Sequence, residues 1–101
     1  MITLTVLYGK PSDPAAFERY YAEHHMPLVE KLPGLGRHEA VRCVSAPDGG
    51  EPAFYRMFTA WFDSVDQMHQ VLGSEQGQVV TADVPNFASG GATMVVSQVD
   101  A

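Results

Sequence analysis

The chain has 101 residues, 46% of them hydrophobic, and a formal net charge of −6. These values describe one globular domain with a single core and exclude a disordered chain. Only six Lys and Arg residues are present, scattered along the sequence, so neither nucleic acid nor an anionic membrane surface meets a basic patch. Cys43 is the only cysteine, which rules out an internal disulfide, fits a reducing compartment, and reads as a small buried strand thiol.

No apolar run approaches the roughly 20 residues needed to span a bilayer. The first residues alternate with Thr and lack a basic flank, against a signal peptide, so the expected address is cytoplasmic. Residues 2–8 alternate as a strand, with Ile2, Leu4, Val6 and Tyr8 on one face and Thr3, Thr5 and Leu7 on the other. After a turn over residues 9–12, Asp13 is positioned to cap a helix that has Pro14 at its first position. That helix is predicted to run to about Leu32, where Pro33-Gly34-Leu35-Gly36 stops it. At about 100° per residue, Phe17, Tyr21, Leu28 and Leu32 share one stripe, and His24 and His25 lie on its two flanks. Pro27 crowds the carbonyl of Glu23, so the helix is expected to bend or tighten beside the histidines and open a pocket.

Arg37 to Val44 reads as a second strand of mixed polarity, either an edge or partly facing solvent. A third strand, Ala53 to Phe62, is apolar on both faces, with Phe54, Phe58, Ala60 and Phe62 against Tyr55, Met57 and Trp61. Arg56 within it must reach an edge or a carboxylate, because an unpaired buried guanidinium is costly. Ser64-Val65-Asp66-Gln67 has the form of a capping box opening a second helix that ends at Gly73. Ser74-Glu75 starts a further helical piece carrying Val79, Val80 and Val84, which finishes before Pro85. Residues 86–91 form a loop, and Ala92 to Val99 alternates as a fourth strand.

The order strand, helix, strand, strand, helix, strand is the ferredoxin-like α+β arrangement, a four-stranded antiparallel sheet with helices on one face. The second apolar face of the third strand then needs a cover, and an isologous homodimer through the open sheet face is the commonest solution.

The pattern Tyr20-Tyr21-x-x-x-His25-x-Pro27-Leu28 resembles the signature of the EthD family, small proteins named for an ether-degradation gene cluster and related to dimeric α+β barrel monooxygenases. Phe62-Asp63-Ser64 resembles the family's strand-to-helix junction. Gln76-Gly77-Gln78 followed by Asp83-Val84-Pro85-Asn86-Phe87 resembles its second signature. Three elements in order make the resemblance specific for fold and much less so for reaction. It implies a single domain over residues 1–101 and a dimeric α+β barrel. It also implies an enzyme or accessory enzyme of small-molecule metabolism, either an oxidoreductase of monooxygenase type or, as in fungal relatives, a dehydratase.

His25 occupies the family's His-x-Pro-Leu position, and an imidazole gives or takes a proton near neutral pH. It therefore stands as a catalytic candidate, against the alternative that it bonds a backbone carbonyl beside the bend. Tyr21, one turn earlier, is the candidate that positions a substrate oxygen. Tyr8, Tyr20, His24, Trp61, Phe87 and Met94 are candidate walls of a binding cleft, or plain packing. Asp83 either pairs with a histidine across the fold and sets its tautomer or sits exposed beside Pro85. His38 and His69 read as surface residues.

No metal-ligand spacing is visible, since His24 and His25 diverge on a helix and no His-x-x-x-His pair occurs. A dinucleotide or phosphate-loop motif is lacking, because Gly34-x-Gly36 follows a helix rather than a strand. No cofactor is therefore expected. Proton transfer by His25 on an apolar aromatic, polyketide-like or ether-derived molecule is the leading reading, and in oxidative form it is cofactor-independent attack of oxygen on a deprotonated substrate. The competing readings are a non-catalytic ligand-binding or carrier module acting with a partner oxidase, and a structural dimer whose cleft is filled by side chains.

Overall fold

The computed structural model describes residues 1–100. Strand β1 spans Ile2–Tyr8, and its alternation has the expected outcome: Leu4, Val6 and Tyr8 are buried under the helices. Asp13 caps helix α1 (Pro14–Tyr20) by accepting from the Ala16 amide at 3.1 Å. The helix then widens instead of bending or tightening. Tyr21–His25 is a π-helical turn in which the Met26 amide reaches back five residues to the Tyr21 carbonyl, and α2 (Met26–Glu30) continues beyond it. The wide turn sits directly before Pro27, the residue that cannot donate.

One extra residue in that turn shifts the register of everything after it. Val29 rather than Leu28 joins Phe17, Tyr21 and Leu32 in the core, and Leu28 is only half-buried. The carbonyl of Leu28 accepts a bond from Gln76 Nε2 at 2.8 Å. That bond ties α2 to the second half of the chain.

Strand β2 spans His38–Arg42 and is mostly exposed, as an edge should be. Strand β3 spans Arg56–Phe62, three residues shorter at its start than the pattern predicts. Tyr55 has left the alternation to pack against Phe17 at 5.2 Å between ring centroids. In helix α3 (Val65–Leu72), Ser64 Oγ accepts from the Gln67 amide and Gln67 Oε1 accepts from the Asp63 amide. This is the reciprocal exchange of a capping box shifted by one residue. Helix α4 (Glu75–Asp83) is capped by Ser74 and runs into a single 3₁₀ turn, Val84–Asn86, that contains Pro85. Strand β4 spans Ala92–Gln98.

All strand pairs are antiparallel, in the order β2-β3-β1-β4. The sheet with its helices on one face is the ferredoxin-like α+β fold. The register places Leu4 opposite Ala60, and Val6 opposite Phe58, beneath the helices. The open face carries Leu7, Val41, Met57, Trp61 and Val95 around the central threonines Thr5 and Thr59, whose hydroxyls bond at 3.3 Å. It is thus less aromatic than the sequence predicts. The helices leave β4 uncovered, and Met94, Val95 and Val96 are all exposed.

The two loops that flank the β1–β4 end of the sheet cross at a pair of glycines. A Cβ on Gly9 would lie 2.2 Å from the Gly90 carbonyl oxygen, and Gly9 donates its amide to Gly91 at 3.0 Å. Gly9→Ala is therefore expected to lower stability by about 1–3 kcal/mol through forced backbone displacement. Gly36→Ala, which meets nothing within 4 Å, should leave stability nearly unchanged. Urea denaturation of the two variants checks both outcomes.

Candidate functional site

The wide turn delivers two side chains to the interior, Tyr21 and His25, each 3% exposed. His24, between α1 and α2 on the same turn, is exposed. From the other half of the chain, the end of α4 supplies Asp83, and the two meet: His25 Nδ1 lies 2.9 Å from Asp83 Oδ2. The other carboxylate oxygen accepts from the Tyr20 hydroxyl at 2.5 Å and from Asn86 Nδ2 at 3.1 Å. Asp83 therefore receives three donors.

Burial works to raise the Asp83 pKa, but the bonds from Tyr20, His25 and Asn86 outweigh it and hold the carboxyl below its ordinary range. Burial pushes the His25 pKa down, against the opposing pull of Asp83. An ionised carboxylate only accepts, so the proton of the neutral imidazole sits on Nδ1 and the Nε2 lone pair is free. Among the described residues, no protein group bonds Nε2.

His25 forms part of the wall of a cavity between helices and sheet, of about 70 Å³. Tyr8 and Met94 line it too, with Leu4, Val6 and Phe58 from the sheet. No Lys, Arg, Asp or Glu lines it. The Phe87 ring, a predicted wall, does not line this cavity but packs against the imidazole at 4.6 Å, centroid to centroid. Burial raises the Tyr8 hydroxyl pKa well above the ordinary phenol value, which keeps it a hydrogen-bond donor.

The remaining candidates lie elsewhere. Tyr21 stacks on His25 at 5.7 Å, yet it does not line the cavity. Its hydroxyl is buried without a hydrogen-bond partner among the described residues, and burial pushes its pKa up to about 12 against the pull of Arg56. Tyr8 rather than Tyr21 thus shares the cavity with His25. Tyr20 serves Asp83 from outside the cavity, with the His24 ring tilted against it at 4.9 Å between centroids. Trp61 lies on the opposite face of the sheet, covered by the Arg37 guanidinium at 4.0 Å.

Arg56 finds its carboxylate: Glu18 takes two bonds from the guanidinium and a third from the Tyr55 hydroxyl at 3.1 Å. None of these three residues lines the His25 cavity. Asn86 is the site residue that sequence reasoning missed. The available signal was its place three residues after Asp83, across a proline turn that brings its amide back onto the carboxylate.

The His25 shift makes folding depend on pH. Its folded pKa lies below the ordinary value of about 6.5, so its contribution is complete above that pH and is lost as pH falls through the depressed value. Asp83, also depressed, contributes fully above the ordinary carboxylate value of about 4 and loses that contribution at lower pH. Wild-type urea stability is expected to decline from about pH 7 to 5, and His25→Gln should flatten that slope. Denaturation curves across the range check it.

The EthD domain family model matches residues 10–91. Over 95 residues the chain is 42% identical to an 11.0 kDa protein of the thcB-thcC intergenic region of Rhodococcus erythropolis, covering 94% of this chain and 91% of that one. An ethyl tert-butyl ether d (EthD) family protein from Bacillus halodurans is 31% identical and has a TM-score of 0.92 over 99% of each chain. Two more distant structures share the fold alone. A dimeric ferredoxin-like protein from Thermobifida fusca is 11% identical, with a TM-score of 0.71 over 97% of this chain and 90% of that one. SnoaB, a cofactor-independent oxygenase from Streptomyces nogalater, is 15% identical, with a TM-score of 0.68 over 97% and 91%. A family match across most of the chain, joined by a close structural relative of full length, establishes that this protein belongs to the EthD family.

Proposed function

We propose that the protein is a cofactor-independent enzyme of small-molecule metabolism in which His25 Nε2 removes a weakly acidic proton from an uncharged substrate. The observation that carries this reading is the buried His25–Asp83 bond at 2.9 Å on the wall of an apolar cavity. Asp83 holds the imidazole in the tautomer whose free nitrogen is a base. The role given to Tyr8, on the same wall, is donation to an oxygen that gains charge as the proton leaves.

Two reactions share this first step. In the oxidative one, the carbanion adds O2, the imidazolium protonates the resulting peroxide, and loss of water leaves a ketone where a CH2 stood; the substrate supplies all four electrons. Likeness of fold to the oxygenase SnoaB supports that branch. In the dehydratase branch the β-hydroxyl leaves as water, protonated by the imidazolium, and a C=C bond forms. The carrier reading predicts neither.

Enolisable ketones, followed by NMR-detected exchange of the acidic C–H proton into D2O and by oxygen uptake, test the reading. Wild-type protein should catalyse exchange, and His25→Ala should lower the rate by about 10²–10⁴-fold. Asp83→Asn should retain binding but lose turnover through loss of the orienting acceptor. Exchange that survives His25→Ala would overturn the assignment, and ligand binding with no exchange by any variant would favour a carrier.

The assembly we propose is a homodimer through the open sheet face, where Leu7, Met57 and Trp61 are only half-buried in the single chain. The dimeric ferredoxin-like relative supports it. Native mass spectrometry should give twice the 11.0 kDa of one chain, and Met57→Asp should shift the population to monomer.

A further inference from the structure

We infer that the His25 cavity continues into the groove between the 84–88 turn and strand β4, and that the two together hold one elongated, uncharged molecule. Its hydrogen-bonding end lies at His25 and its apolar tail lies over the uncovered edge strand. The assignment of the polar end rests on the function proposed above; the path of the tail rests on shape and composition.

The inner cavity, about 70 Å³, is about half the size of an apolar cavity that takes a benzene ring, roughly 150 Å³. It admits one end of a substrate and not a drug-sized body. The adjacent groove offers about 340 Å³ and is lined by Thr81, Val84, Pro85, Ala88, Ala92 and Met94. Thr81, Val84 and Met94 line both spaces, so they form a shared lip through which one passes into the other.

The composition fits a tail. Ala88 and Ala92 are small enough to leave the groove open, and Met94, 49% exposed on an edge strand, carries a flexible thioether able to repack around a guest. No Lys, Arg, Asp or Glu lines either space. A charged tail would thus lie against apolar wall with no counter-charge. The Thr81 hydroxyl already donates to the Gly77 carbonyl at 3.0 Å, so at the lip it is an acceptor only. The fit is to a molecule with one donor at its head and an aliphatic or alkyl-aromatic body.

A series of primary n-alkanols from ethyl to octyl, titrated by calorimetry and NMR at about pH 8 where the imidazole is neutral, tests this. Affinity should tighten by about two- to four-fold for each methylene that enters the groove. The Ala88 and Ala92 methyl resonances should shift only with the longer members. Ala92→Trp should flatten the gain with chain length, and Ala88→Leu should shorten the chain at which the gain stops, which keeps the test decisive if the tryptophan variant fails to fold.

His25→Ala separates the two assignments. A uniform loss across the series with the chain-length slope retained supports both. A retained slope with no loss at all overturns the role of His25 and keeps the groove. Equal affinity across the series, failure of the octyl member to bind, or a slope untouched by both groove variants overturns the groove.

Discussion

A polar pair closed off from water constrains everything around it, and here that pair is His25 with Asp83. Each is nearly buried, and each satisfies the other. A carboxylate left alone in that position would be costly, because the apolar surroundings cannot replace its hydration. Three donors around Asp83 remove that cost, and they come from distant stretches: Tyr20 and His25 from the first helical region, Asn86 from the turn after α4. The bond therefore acts as a tie between the two halves of the helical layer. Loss of Asp83 leaves the buried Nδ1 of His25 without a partner, and loss of His25 takes from Asp83 the one donor to Oδ2, so the site and the fold share one vulnerability.

The aromatic packing explains why the imidazole stands by itself in the cavity. Phe17, Tyr21 and Phe87 meet at centroid distances of 5.3 to 5.8 Å in stacked and edge-on arrangements. They form a wall between two polar clusters. Glu18, Arg56 and Tyr55 neutralise one another on one side of it, and Asp83 is satisfied on the other. No Lys, Arg, Asp or Glu lines the cavity beyond, and His25, Tyr8 and Thr81 are its only residues with polar side chains. In so apolar a setting a neutral base is favoured over its charged form, which agrees with the direction of the His25 shift.

Part of the site is legible in the sequence, and the rest is hidden for physical reasons. His25 stands out from its residue type, its place beside Pro27 and the family resemblance. Asp83 was one of two open readings, because sequence separation of 58 residues hides a contact that only the packing of α4 against the first helical region creates. Tyr21 drew attention by its four-residue spacing from His25, and their rings do stack. Spacing describes the rings, however, and not where a hydroxyl ends up, so Tyr8, remote in sequence, shares the cavity instead. Trp61 belongs to a strand whose alternation assigns it to one of two faces. Nothing in alternation says which face the helices cover.

By itself the sequence determined the order of elements, the caps at Asp13 and Ser64, the edge or solvent-facing character of the second strand and the family. Each of these depends on local backbone chemistry or on side-chain periodicity along a single segment. Tertiary structure alone decided that the first helix widens into a π turn and trades Leu28 for Val29 in the core, since one added residue per turn is invisible to a fixed 100° periodicity. It also decided which histidine faces inward, which carboxylate meets it and which strand the helices leave bare. Those outcomes depend on the relative placement of segments far apart along the chain, and local pattern carries no information about that.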